Sequence, residues 1–199
     1  REMRKRGMRV TVTGGNGHFA GVGFNKLMKH LHPRLASGLT FVEAEQPIGQ
    51  LVEQLNAIPN VSCIVTYPSM LTILAKEKEA GRLQIAPVLF NTGGETLTDY
   101  LRPRVHRAFP SLRYNIIDAY ACTECLVVSF VCSHGRKHVH EDWVILEAVD
   151  AAMRPVPDGT LSATVLLTVL ALDVQPFVRY DLGDCIRFHP VPCPGGSPF

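Results

Sequence analysis

Three short segments place glycines, hydroxyls and carboxylates where a nucleotide could be held. Asn91-Thr92-Gly93-Gly94-Glu95 directly follows an apolar stretch. Glycines at a strand end let a flat ligand lie against bare backbone. The same residues can also form an ordinary turn, with Glu95 near a helix start where a carboxylate suits the helix dipole. In Asp118-Ala119-Tyr120-Ala121-Cys122-Thr123-Glu124, Tyr120 can stack on a purine, Thr123 can donate to a phosphate oxygen, and Glu124 can hold Mg²⁺ through hard carboxylate oxygens. The plainer alternative is a strand-end loop with a buried tyrosine. In Arg179-Tyr180-Asp181-Leu182-Gly183-Asp184, a carboxylate at the end of a tight turn can accept both hydroxyls of a ribose; Asp181 or Asp184 can instead be a turn-forming residue.

Two further clusters compete for attention. Thr13-Gly14-Gly15-Asn16-Gly17-His18-Phe19-Ala20 lies between a strand pattern and a helix pattern, and Gly15, Gly17 and Ala20 satisfy a loose dinucleotide fingerprint. Glu43 stands roughly where a ribose-binding acid would follow. This pattern alone suggests a Rossmann-type, NAD(P)-binding protein resembling short-chain dehydrogenases. The Tyr-x-x-x-Lys pair of such enzymes is missing, since none of Tyr67, Tyr100, Tyr114, Tyr120 and Tyr180 has a lysine four residues later. A tight turn that needs small residues is the plainer and preferred explanation of the glycines. The second cluster gathers Cys122, Cys125, Cys132, His134, His138 and His140 in a short window. Zinc bound at Cys122 and Cys125 would compete with Thr123 and Glu124 for geometry. Cys132 and His138, joined by Cys193, make the more plausible Zn²⁺ set. Small buried thiols with surface histidines account for the same residues and are the preferred reading.

The elements that must position these residues fall into two kinds. Residues 1–120 alternate strand and helix signals: strands at 9–13, 39–42, 61–66, 88–91 and 113–119, and helices at 21–31, 48–57, from Pro68 to near Gly81, and 98–109 with Pro103 near its start or kinking it. Such repetition predicts an α/β fold with a mainly parallel sheet. Residues 121–199 read as a β-rich, antiparallel subdomain, with strands at 127–131, 144–149, 160–169, 177–180 and 185–188 and a turn at Pro157-Asp158-Gly159.

Bulk properties narrow the function classes. The 199 residues are 46% hydrophobic and 19% charged, enough for a core, and the net charge of +2 gives no reason to expect nucleic acid or a membrane surface as partner. The basic run Arg1, Arg4, Lys5, Arg6 and Arg9 reads as a solvated face. The apolar stretch 161–172 is too short for a membrane span. Six cysteines without the spacing of a secreted disulfide scaffold suggest a reducing, cytoplasmic setting.

Taken in order, the three glycine- and carboxylate-bearing segments resemble the adenine, Tyr-Gly-x-Thr-Glu and Tyr-x-x-Gly-Asp motifs of the adenylate-forming acyl-CoA synthetase superfamily, with Ala121 replacing the usual glycine. Within it the chain is most similar to the phenylacetate–coenzyme A ligase-like family, through Thr13-Gly14-Gly15 to Gly21, Tyr67-Pro68-Ser69, Asp142-Trp143-Val144-Ile145-Leu146-Glu147 and Val174-Gln175-Pro176 to Asp184. The resemblance implies an acid–CoA ligase that uses ATP and Mg²⁺ to form an acyl-adenylate, then passes the acyl group to coenzyme A. It implies Gly93, Gly94 and Glu95 along the adenine with Ala119 and Tyr120 packed on it, Thr123 on phosphate, Glu124 on Mg²⁺, and Asp184 on the ribose. His18 resembles a residue beside the pocket of a small, aryl-type carboxylic acid; it can equally cap the following helix. The resemblance also implies a phosphate loop upstream of Arg1 and a lysine-bearing lid domain beyond Phe199, so a fragment not competent alone is expected. A non-catalytic nucleotide- or acyl-binding relative is the alternative. Some relatives carry Cys-Pro-Cys-Gly where this chain has Cys193-Pro194-Gly195-Gly196, which removes one expected zinc ligand.

Overall fold

A computed structural model describes residues 7–14, 27, 30–31, 38–114, 116–170 and 175–195. Two compact units follow one another, Arg1–Ala119 and Tyr120–Phe199.

In the first unit, five parallel strands form one sheet: β1 (Met8–Thr13), β2 (Leu39–Glu43), β3 (Val61–Thr66), β4 (Leu89–Thr92) and β5 (Ile117–Asp118), in the order β2-β1-β3-β4-β5. Three helices alternate with them: α1 (Ile48–Ala57), α2 (Pro68–Glu79) and α3 (Leu101–Ala108). Helix α1 buries Leu51, Val52 and Leu55 and helix α2 buries Met70, Leu71, Leu74 and Ala75, the spacing of one helical face. These faces meet Val10, Val12, Ile64 and Phe90 of the sheet in a single core cluster. Pro68 opens α2 at a position that needs no N–H.

Two expectations are corrected here. Helix α3 starts at Leu101 rather than Thr98, which puts Pro103 in the first turn, where its missing N–H breaks no helical bond and no kink is needed. The strand expected at 113–119 contracts to Ile117–Asp118. Among the described residues it is an edge strand paired with β4, which stops at Thr92, so pairing ends at Thr92↔Asp118. The helix expected at 21–31 lies mostly outside the described residues; Leu27, His30 and Leu31 are helical.

In the second unit, β8 (Val144–Val149), β9 (Thr164–Val169) and β10 (Tyr180–Asp181) form an antiparallel sheet in the order β10-β9-β8, and β6 (Ser129–Val131) pairs with β7 (Lys137–Val139) as a separate hairpin. One buried cluster there joins Cys125, Val128, Val144, Leu167 and Val169, and Ala148, Val149, Val165 and Leu166 are buried as well. The expected turn is present, with the Thr160 N–H donating to the Pro157 carbonyl at 3.1 Å and Gly159 at φ +85°.

Several strands here are shorter than expected, for local reasons. Residues 185–188 form no strand, because the Ile186 N–H donates to the Ser162 hydroxyl at 2.9 Å instead of to a carbonyl, which interrupts a ladder. Strand β10 begins only at Tyr180: Arg179 has φ +49° and its N–H donates to Thr168 Oγ1. Strand β6 begins at Ser129 after Leu126 at φ +63°. Strand β7 was not expected at all. Among the described residues no helix is long and apolar enough to cross a membrane.

Candidate functional site

The carboxyl ends of β3, β4 and β5 stop in one register row, Thr66↔Thr92↔Asp118, and all three side chains are buried. Thr66 Oγ1 donates to the Val12 carbonyl at 2.7 Å, and Thr92 Oγ1 lies 3.3 Å from the Ile117 carbonyl. The residues just beyond this row are Tyr67-Pro68-Ser69, Gly93-Gly94-Glu95 and Ala119. Open α/β sheets bind ligands at the carboxyl ends of their strands, so the fold carries these loops to the expected edge.

The glycines serve close packing. Gly94 has φ +78°, and a Cβ built on it would sit 3.1 Å from the Tyr67 ring. A Cβ on Gly93 would meet the Ala119 carbonyl at 3.2 Å. The face of Gly94 expected to be bare therefore carries the Tyr67 ring. Glu95 accepts twice from one residue: from the Ser69 N–H at 2.8 Å and from the Ser69 hydroxyl at 2.7 Å. Ser69 is the second residue of α2, so the Glu95 carboxylate caps that helix's positive end. The sequence placed Glu95 at a helix start, but not at this one.

In the second unit, Tyr120 and Asp184 meet: the phenol donates to Asp184 Oδ2 at 2.7 Å. Burial first, then the hydrogen bond and charge of Asp184, push the Tyr120 phenol above its ordinary range. The Tyr120 carbonyl accepts from the N–H groups of Val128 and Ser129, which fixes the start of the hairpin region. Thr123 is exposed and Glu124 half-buried, in the turn closed by the Leu126 N–H donating to the Cys122 carbonyl at 2.8 Å. Asp181 is the turn-forming carboxylate: its Oδ1 accepts from the Thr164 hydroxyl and, at 2.9 Å, from the Gly183 N–H. Those bonds, the threonine's first, hold its carboxyl below the usual range.

The same unit gathers Cys132, His138 and Cys193, whose ligand atoms all lie within 4.8 Å of one another. The two sulfurs are 3.7 Å apart. His138 is buried and stacks on Phe130, ring centroids 5.2 Å apart. Burial pushes the Cys132 thiol up, but the backbone of Arg136 and His134 and the side chains of His138 and Cys193 outweigh it and bring it down to about 7. An open groove of about 890 Å³ runs beside the cluster, lined in part by His138, Arg187, His189 and Cys193.

Gly93, Gly94, Glu95 and Ala119 thus group in the first unit, and Tyr120 with Asp184 in the second. His18 and the dinucleotide-like glycines after Gly14 lie outside the described residues. Sequence reasoning gave no role to Tyr67, Ser69 or Thr164, the partners of Gly94, Glu95 and Asp181. One signal was available: a threonine or aspartate ends each of three successive apolar strands.

No protein-family model matches the chain, and no curated protein does. Among solved structures, an open conformation of 2-hydroxyisobutyryl-CoA ligase in complex with 2-HIB-AMP and CoA superposes with a TM-score of 0.69 at 19% identity, over 92% of this chain and 41% of that one. A benzoate CoA ligase from Burkholderia xenovorans LB400 gives 0.61 at 18% identity, over 93% and 40%. A long-chain-fatty-acid-CoA ligase from Archaeoglobus fulgidus gives 0.56 at 14%, over 80% and 34%. The chain spans about 40% of the length of the first two ligases. At this identity the likeness is one of fold: a parallel α/β sheet followed by an antiparallel sheet, as found in part of these acid–CoA ligases.

Proposed function

We propose that the chain carries part of the AMP site of an adenylate-forming acid–coenzyme A ligase of the phenylacetate–CoA ligase type. The observation that carries this reading is the Tyr120–Asp184 hydrogen bond. It joins two of the resembling motifs, 64 residues apart, in a manner that neither motif's spacing requires. The ligase fold of the neighbours supports it independently.

In this reading Gly93, Gly94 and Glu95 line the adenine, with Ala119 and Tyr120 against it, and Asp184 takes the ribose hydroxyls while Tyr120 orients its carboxylate. Thr123 contacts the phosphate. Glu124, a half-buried carboxylate on the residue next to the exposed hydroxyl of Thr123, fits Mg²⁺, which takes hard oxygen donors and keeps several waters. Bound there, Mg²⁺ would neutralise charge on the phosphates. The packing of Tyr67 on Gly94 and the capping of α2 by Glu95 keep the adenine-side segment rigid before any ligand arrives, which lowers the ordering cost of binding. His18 would face a small carboxylic acid, its aryl character resting on the family likeness alone.

Calorimetry with AMP, ATP and NADPH tests the reading. AMP and ATP should bind, and Asp184→Asn should weaken both by about tenfold to a hundredfold, the loss of a hydrogen bond to a charged group worth about 1.5–3 kcal/mol. Binding of NADPH without AMP would replace this reading by the Rossmann-type one. Because the chain spans only about 40% of the ligases it resembles, acid-dependent pyrophosphate release by this chain alone should be negligible; sustained turnover would refute the partial-site assignment.

A further inference from the structure

We propose that Cys122 and Cys125 form a reversible disulfide that resets the turn carrying Thr123 and Glu124, closed by exchange with a small disulfide of the glutathione type. Their sulfurs lie 3.9 Å apart, in contact but unbonded, and a disulfide brings two sulfurs to about 2.05 Å. The turn itself makes this meeting. The Leu126 N–H donates to the Cys122 carbonyl and the Val127 N–H to the Cys125 carbonyl, each at 2.8 Å, and Leu126 at φ +63° ends the turn. The N–H groups of Val128 and Ser129 then return to the Tyr120 carbonyl. Backbone bonds within residues 120–129 therefore hold the two cysteines side by side.

Their unequal exposure assigns the order of events. Cys125 is 8% exposed and packs with Val128, Val144, Leu167 and Val169, while Cys122 is half-buried at the margin of that cluster. A small disulfide therefore meets Cys122 first. The Cys122 sulfur attacks one sulfur of the disulfide, its own proton passing to the departing thiol, and a mixed disulfide results. Cys125 then attacks the Cys122 sulfur, its proton passing to the second departing thiol. Two cysteine thiols are oxidised and one small disulfide is reduced to two thiols, so atoms and electrons balance. So short a loop gains little from being cross-linked, and the bond reverses when reduced thiol is in excess.

The consequence falls on the two residues between the cysteines. Cys125 is anchored in its buried cluster, so the closure of about 2 Å is taken up by Cys122, Thr123 and Glu124. Thr123 is exposed and Glu124 half-buried, so packing pins neither. In the nucleotide reading above, on which this part rests, these residues serve the phosphates and Mg²⁺. Oxidation then weakens Mg²⁺-ATP, which uses both residues, and spares adenosine, which uses neither.

The test equilibrates the full chain in buffers of graded reduced-to-oxidised glutathione ratio, alkylates it and maps it by mass spectrometry. A Cys122–Cys125 linkage should appear as the buffer becomes oxidising and vanish when the ratio is reversed. It should persist in the Cys132→Ser, Cys193→Ser double variant, which removes the other close sulfur pair, 3.7 Å apart. Cys125→Ser should leave Cys122 trapped as the mixed disulfide, and Cys122→Ser should leave Cys125 unmodified. No linkage in the oxidised buffer overturns the proposal, as does a linkage confined to Cys132 and Cys193. Should a serine variant fail to fold, mapping of the unaltered chain decides, because the two linkages give different peptides. Calorimetry on the oxidised chain should show Mg²⁺-ATP weakened roughly threefold to tenfold, the scale of one hydrogen bond, and adenosine unchanged. Equal Mg²⁺-ATP affinity in both redox states overturns the effect on Thr123 and Glu124. Failure of both states to bind any nucleotide refutes the nucleotide reading instead and leaves the linkage standing.

Discussion

The two units hold their candidate ligand residues by different means. In the first, Gly94 is packed under Tyr67 and Glu95 is tied to the start of α2, while behind them a large core cluster joins three helices to a five-stranded sheet. In the second, Asp184 and Asp181 sit on exposed turns, Asp184 held by the Tyr120 phenol and Asp181 by the Thr164 hydroxyl and the Gly183 N–H. Packing fixes Gly94 and a paired hydrogen bond from Ser69 fixes Glu95 in the first set, whereas hydrogen bonds alone fix the two carboxylates of the second. Packing is insensitive to pH; a hydrogen bond to a carboxylate depends on its ionisation.

Core truncation gives the largest effect and the first way to break this contrast. Phe90 is fully buried, with Phe109 edge-on at 5.0 Å between ring centroids. Phe90→Ala should cost about 3–5 kcal/mol. Hydrogen exchange should show protection lost along β1, β3 and β4 and retained along β8 and β9. Equal loss in both units would show that they unfold as one body and would end the comparison.

Two glycines sharpen it at smaller cost. Gly94 and Gly183 have nearly the same backbone, φ +78° and +72°, yet a Cβ on Gly94 meets the Tyr67 ring at 3.1 Å whereas a Cβ on Gly183 meets nothing within 4 Å. Both alanine variants pay the left-handed penalty of about 1–2 kcal/mol; Gly94→Ala must also displace the ring. Urea midpoints should therefore fall further for Gly94→Ala than for Gly183→Ala. Equal shifts would mean that the Tyr67 contact yields freely and that the first unit's loop is no more rigid than the second's.

The same division decided what could be read from the chain alone. Strands β1 to β4 and helices α1 and α2 are long enough for apolar runs, helical spacing and Pro68 to mark them. The short pieces of the second unit depend on single events that leave no periodic trace, such as Ser162 intercepting the Ile186 N–H or Arg179 turning to φ +49°. For the proposed site, residue type and order pointed to Gly93 to Glu95, Tyr120 and Asp184. The partners were not legible, because Ser69 reaches Glu95 only once β3 and β4 are known to be neighbours. The cysteine–histidine set shows the converse. Residue types suggested it, buried thiols and surface histidines were preferred, and the structure instead places His138 in the interior with both sulfurs beside it.

The smallest effect isolates the second unit's reliance on ionised side chains. Asp181 accepts from Thr164 and Gly183 in the folded chain, so its folded pKa lies below its unfolded value of about 3.9. A depressed carboxyl contributes stability that is present above the unfolded pKa and is lost as pH falls through the folded one. Thr164→Val deletes the larger of the two causes. At neutral pH the variant should be less stable than the parent, and the difference should shrink as pH falls below about 4, because a protonated Asp181 no longer gains from the hydroxyl. Asp150, held low mainly by the backbone and guanidinium of Arg154, is common to both proteins and cancels in the difference. Denaturation midpoints of the pair, compared at neutral and acid pH, measure it. A difference that stays constant through the acid range would mean that Thr164 acts by packing, as residues of the first unit do, and not through the Asp181 charge.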